Sequence, residues 1–103
     1  MNAFMLARIL GQLGVMYHRD NFPRVIDYFS LMLEDKRVIV IEDDDKPCAV
    51  LFISMTDDAA PYLVKKPWAY IKQDVDGSIC YVEKMISNGW NKEMRKKIES
   101  AII

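Results

Sequence analysis

At 103 residues the chain has room for a single domain, 1–103, able to bury roughly two-thirds of its unfolded surface but not to build a second core. Apolar residues make up 51% and charged residues 28%, a globular balance rather than a disordered one. With 14 basic against 15 acidic side chains the net charge is -1, so the chain as a whole has no electrostatic pull toward nucleic acid or an anionic membrane.

No stretch reaches the roughly 18 uninterrupted apolar residues of a membrane-spanning helix. The apolar start lacks a basic leading segment and Arg8 interrupts it, which argues against a cleaved signal peptide. Cys48 and Cys80 both fall in apolar runs, where a reduced thiol behaves as a small hydrophobe. Their setting points to a reducing cytoplasm, and their spacing neither requires nor forbids a disulfide.

In chain order, a helix is expected from Ala3 to about Tyr17. Met5, Leu6, Ile9, Leu10, Leu13, Met16 and Tyr17 give it a broad apolar surface, with Arg8 and Gln12 as a narrow polar edge. Such a helix is covered on more than one side, by the rest of the fold or by another subunit. Gly11 and Gly14 each cost about 1 kcal/mol of helix propensity relative to Ala, which implies that a neighbouring backbone comes close there. His18 to Asn21 form a polar break. His18 has no Cys or second His to share a metal and reads as a solvated or capping residue. Pro23 then opens a second helix, in which Phe22, Val25, Ile26, Phe29, Met32 and Leu33 mark one face.

From Arg37 the period changes. Val38-Ile39-Val40-Ile41 and Cys48 to Ile53 read as two strands of an antiparallel hairpin, joined by a long acidic turn from Glu42 to Pro47. Consecutive carboxylates on a turn point in different directions, so this segment reads as a solubilising turn and not as a metal site. Thr56 to Pro67 is irregular, with two prolines that disfavour a central strand. Trp68 to Lys72 is expected to be a strand, followed by a turn at Asp74 to Ser78. The Asp-Val-Asp-Gly within it is a fragment of a calcium loop without the twelfth-position glutamate, so no metal is expected.

The stretch from Ile79 to Ile103 organises the rest. A strand rich in β-branched residues runs to Ile86, Ser87 to Lys92 carries an Asn-Gly turn signal, and Asn91 is a candidate N-cap. Met94, Ile98, Ala101 and Ile102 then recur at helical spacing. A strand, tight turn and helix in that order concentrate unpaired N–H groups at one point, which favours an anion. The expected fold is α+β: a mainly antiparallel sheet of about four strands, two N-terminal helices and one C-terminal helix.

This layout, with "VIVIEDDDKPCAVLFISM" in the hairpin and "ICYVEKMISNGWNKEMRKKIESAI" in the closing segment, resembles the GNAT superfamily of acyl-coenzyme A-dependent N-acyltransferases, in particular divergent members found in bacteriophages. The resemblance implies a GNAT-like, incomplete domain that binds acetyl-CoA or another acyl-CoA and acylates an amine. In that family the backbone of the fourth strand pairs with the pantetheine arm and the following Gly-rich turn holds the pyrophosphate. Carried over, the cofactor-binding residues are Met85, Ser87, Gly89, Asn91 and Lys92. Gly89 is the only glycine of this turn, and Lys92, Arg95 and Lys96 supply compensating charge.

Acyl transfer needs a base for the attacking amine and an acid for the departing thiolate. By location Glu83 resembles the strand glutamates that serve as base in some family members. Strict alternation would put Tyr81, Glu83 and Met85 on one face and Cys80, Val82, Lys84 and Ile86 on the other; the candidate catalytic residues implied by the resemblance are Glu83 and Tyr81. The alternative for Glu83 is a surface carboxylate paired with Lys72 or Lys84. The family's usual tyrosine acid lies after a fifth strand that this sequence does not reach. Burial of the closing Ile-Ile, worth roughly 1.5–3 kcal/mol per side chain, implies a longer product or a completing subunit, with a homo-oligomer as the simplest case. The competing reading is a non-catalytic interaction or structural protein that uses its apolar first helix and an open sheet edge to hold a protein partner.

Overall fold

Asn2 starts the first helix, its side chain accepting from the Met5 N–H at 2.9 Å. The structure, a computed structural model, describes residues 1–89 and 92–102, and within the last helix the side chains of 95–101. Among these residues four α-helices and three strands follow one another: α1 Ala3–Gln12, a 3-10 turn Arg19–Asn21, α2 Phe22–Glu34, β1 Val38–Asp43, β2 Lys46–Thr56, α3 Ala60–Val64, β3 Ile79–Ser87 and α4 Lys92–Ile102. The strands form one antiparallel sheet in the order β1-β2-β3, so the α+β class is as expected.

Both N-terminal helices end in the same way. Beyond α1, Gly14 takes φ 98°, its N–H donates to Gly11 O at 3.1 Å, and the Val15 N–H donates to Leu10 O at 3.0 Å. Beyond α2, Lys36 takes φ 58°, its N–H reaches Leu33 O at 3.1 Å, and the Arg37 N–H reaches Met32 O at 2.9 Å. These paired bonds satisfy the last carbonyls of each helix and turn the chain out of it. Gly14 therefore stops α1 at Gln12, short of the expected Tyr17. A Cβ at Gly11 or Gly14 would meet nothing within 4 Å, so neither glycine marks a close backbone approach, contrary to expectation. The glycine that does is Gly77, where a Cβ would lie 2.5 Å from Thr56 N.

The acidic hairpin is tighter than expected. Asp44 and Asp45 take φ 52° and 63°, a two-residue turn closed by the Asp43 and Lys46 pair, while Glu42 and Pro47 already belong to the strands. Pro47 sits next to a register shift at the start of β2, before β3 joins at Ala49, a position at the strand's end and bulge where proline is accommodated. His18 caps the 3-10 turn, its Nδ1 accepting from the Asp20 N–H at 3.3 Å.

Three strands are present among the described residues, not four. Trp68 to Lys72 runs as irregular backbone because Trp68 takes φ 64°, outside the extended region. Its ring packs edge-on against Tyr28, Phe29 and Phe52, with centroids 5.4–6.5 Å apart. Between β2 and that loop α3 forms one short turn of helix, with Pro61 in its first turn and Tyr62 buried.

The sheet carries a different core on each face. Val50 and Phe52 of β2, with Val38, Val40 and Ile86, face α1 and α2 and pack with Leu6, Leu10, Tyr28, Phe29 and Met32. Ala49 and Leu51, with Ile39, Ile41, Ile53 and Val82, form the opposite face, where Ile98 of α4 covers them. Cys48 is buried on that second side and Cys80 is exposed; both are free thiols. No helix among the described residues is long and apolar enough to cross a membrane.

Candidate functional site

The sheet ladder breaks once between β2 and β3. Phe52 pairs with Lys84 and Ile53 with Val82, which leaves Glu83 as the extra residue of a bulge. The bulge resets the side-chain alternation. Lys84 and Ile86 lie on the α2 side with Glu83 and Tyr81, while Met85, opposite Leu51, lies on the other. The expected grouping of Tyr81, Glu83 and Met85 on one face therefore does not hold.

Glu83 points into the α2 face, where its side chain is 1% exposed. Its Oε1 accepts from the Tyr28 hydroxyl and lies 3.4 Å from Lys65 Nζ; its Oε2 accepts from the Ser54 hydroxyl and lies 3.4 Å from Arg37 Nη2. Neither Lys72 nor Lys84, the partners expected of a surface carboxylate, is its ion-pair partner. Arg37, itself 1% exposed, follows directly on the turn that ends α2 and reaches back across β2. Its Nε donates to Ile53 O at 3.0 Å, Nη1 to Ile71 O at 3.0 Å and Asp35 Oδ2 at 3.3 Å, and Nη2 to Ser54 and Glu83. All five guanidinium hydrogens thus find acceptors, the condition for a buried charge to be tolerated. Lysine could not replace it.

The groups around this pair respond to it. Burial, then the bond to Glu83, raises the Tyr28 hydroxyl far above its ordinary range, so it stays protonated and keeps donating. A bond to Asp35 raises Tyr70 in the same way, and its ring lies under the Arg37 guanidinium at 5.2 Å. The Lys84 ammonium sits 3.6 Å over the Trp68 ring, and burial, followed by the nearby charge of Lys65, lowers its pKa.

Two cavities open above this floor. One of about 400 Å³ lies between α2 and the 65–70 loop, with Arg24, Leu31, Trp68 and Tyr70 in its wall. The other, about 180 Å³, reaches Tyr62, Glu83 and Lys84. They share Tyr28, Lys65, Lys66 and Trp68, and so adjoin.

Of the residues expected to act, Glu83 and Tyr81 do share a face; Tyr81 is half-buried and packs on the Tyr62 ring at 5.4 Å. Met85 is 42% exposed on the opposite side. Ser87 closes β3 opposite Ala49, and Gly89 stands exposed in the turn with open space around it. Asn91 and the Lys92 side chain lie outside the described residues. The network's other members, Arg37, Tyr28, Ser54 and Lys65, carried no sequence signal beyond an arginine at the mouth of an apolar strand. Among the described residues no three His, Cys, Asp or Glu side chains come together as a metal site.

No protein-family model matches this chain, and neither the curated proteins nor the solved structures contain a significant match to it.

Proposed function

We propose that the chain is an N-acyltransferase domain of GNAT type, with the coenzyme laid along β3 and the turn into α4. One geometric observation carries this reading: β3 is an edge strand among the described residues, leaves the sheet at Ser87, turns at Asn88–Gly89 and leads into α4. An extended pantetheine arm can add to the free backbone of such an edge, and the first amides of the following helix favour a pyrophosphate. The Asn88 N–H is already donated to Cys48 O at 3.2 Å, so it is not among the amides offered to the anion. In the reaction the amine nitrogen attacks the thioester carbonyl, the carbon–sulfur bond breaks, and the amine proton ends on the departing thiol.

Glu83 takes part in this reading from the same strand as the coenzyme. Both its oxygens already accept hydrogen bonds, which fix where the carboxylate sits. Two of its partners, Tyr28 and Lys65, border the open cavity, and Lys65 is also held by the Ala69 carbonyl at 3.1 Å.

The test is a thermal-shift titration with acetyl-coenzyme A. Millimolar ligand raises the melting temperature of the wild type, and Gly89→Ala removes the shift without lowering the unliganded midpoint, because the new methyl meets open space in the protein but obstructs a phosphate. A wild-type midpoint unmoved by millimolar ligand sinks the reading. A second reading, docking to a protein partner, draws on Phe4 and Met5, which are 66% and 53% exposed on the outer side of α1. It expects a defined oligomer or complex, and a strict monomer at high concentration counts against self-association.

A further inference from the structure

The cleft above Glu83 has a charge balance that the coenzyme reading does not use. Arg24, Lys65, Lys66 and Lys84 border its two cavities against Asp27 and Glu83, an excess of two positive charges. Glu83 is already matched by Arg37 and Lys65. Lys66 and Lys84 make no ion pair among the described residues; Glu83 acts on Lys84 only from beyond ion-pair distance, and Lys84 is held partly out of water against Trp68 rather than extended into solvent. Holding like charges together at a half-buried site is unfavourable unless an anion joins them.

The larger cavity supplies the other half of a recognition site. Its walls are mainly apolar, formed by Leu31 and the rings of Tyr28, Trp68 and Tyr70. Trp68, common to both cavities, is held at φ 64° by its packing on Phe29 and Phe52, a conformation that a bulky side chain adopts only under constraint from its surroundings. A concave apolar wall with a few convergent charges is the usual form of a small-molecule site.

The geometry points to a binding site for a small organic anion: a flat apolar body in the larger cavity against Trp68 and Tyr28, with a carboxylate or phosphate turned into the smaller one toward Lys66 and Lys84. This site is separate from the turn at Gly89 and stands whether or not the chain transfers acyl groups. An amine acceptor with an anionic group attached would fit both.

The probes are 2-naphthoate, its neutral analogue 2-naphthamide and inorganic phosphate, each titrated against the whole chain carrying Trp90→Phe, with the Trp68 indole resonance as readout. Naphthoate is expected to bind about tenfold more tightly than naphthamide, the equivalent of one well-placed charge contact, and more tightly than phosphate. Lys66→Met and Lys84→Met each weaken naphthoate by about tenfold and leave naphthamide unchanged. The Lys66 side chain is exposed and only its backbone carbonyl is bonded, to the Ala69 N–H, so its variant keeps the wild-type melting temperature and separates binding from folding. Gly89→Ala retains naphthoate binding, which keeps this site distinct from the coenzyme's. Equal affinity for naphthoate and naphthamide, indifference to both lysines, binding of phosphate as tight as naphthoate, or no naphthoate binding at millimolar concentration would each overturn the proposal.

Discussion

The two faces of the sheet are built on opposite principles from the same strands. Under α4 the face is aliphatic: Ala49, Leu51, Ile41 and Cys48 are buried with no charged group among them, and Ile98 lies over them. Under α2 an aromatic cluster surrounds a buried guanidinium and carboxylate, closed by Tyr28 and Ser54. The aliphatic face is stabilised by area and volume, which many side chains can supply. The charged face is stabilised only while every donor and acceptor is matched, because an orphaned charge costs more than the pair contributes. A polar floor of that kind, beneath an open cleft, positions side chains more strictly than apolar packing does.

Substitutions on each side sharpen this contrast. The largest effect is expected for Arg37→Lys. It keeps the charge but cannot serve five acceptors, so urea unfolding should show a loss of about 3–5 kcal/mol, close to that of Arg37→Met. A loss under about 1 kcal/mol would mean the network is held by charge alone. On the aliphatic face Leu51→Met is expected to cost less than about 1.5 kcal/mol by the same measurement. A larger loss would show that face to be as exacting as the other.

Alkaline pH tests the charged face alone. The Tyr28 pKa is raised on folding, so its contribution is full below the unfolded value near 10 and is lost as pH rises beyond it. Stability should therefore fall above about pH 10 by up to about 1.4 kcal/mol per pH unit from this group, and Tyr28→Phe should flatten the fall. Tyr17, whose hydroxyl donates to Ala7 O and whose pKa burial pushes up to about 12, leaves a residual slope in that variant. The smallest effect tests how the face is entered. Lys36 holds the left-handed position that Gly14 holds after α1, so Lys36→Gly should gain about 0.5–1 kcal/mol, read as a raised urea midpoint.

Much of the architecture was legible in the residues because its cause is local. The spacing of Val25, Phe29 and Met32 marked the buried face of α2, and the β-branched runs marked β1 and β2. The change from strand to helix around Ser87–Lys92 also followed from neighbours in sequence. The acidic hairpin was recognised too, though its turn proved to be only two residues, since Asp tolerates the left-handed backbone that a tight turn needs.

What the sequence could not determine depends on partners far apart in the chain. Val38 to Ile41 are apolar at every position, so nothing in them says which side meets α2; only the packing assigns Val38 and Val40 to one face and Ile39 and Ile41 to the other. Glu83 read as a strand carboxylate with a neighbouring lysine. Its burial follows from a bulge and from Arg37, 46 residues earlier. Trp68 read as the start of a strand, but a place among Tyr28, Phe29 and Phe52 stabilises its ring more than sheet hydrogen bonds would stabilise its backbone. Local periodicity names the elements; the pairing of buried charges and rings, which costs too much to leave incomplete, decides where the cleft and its floor are built.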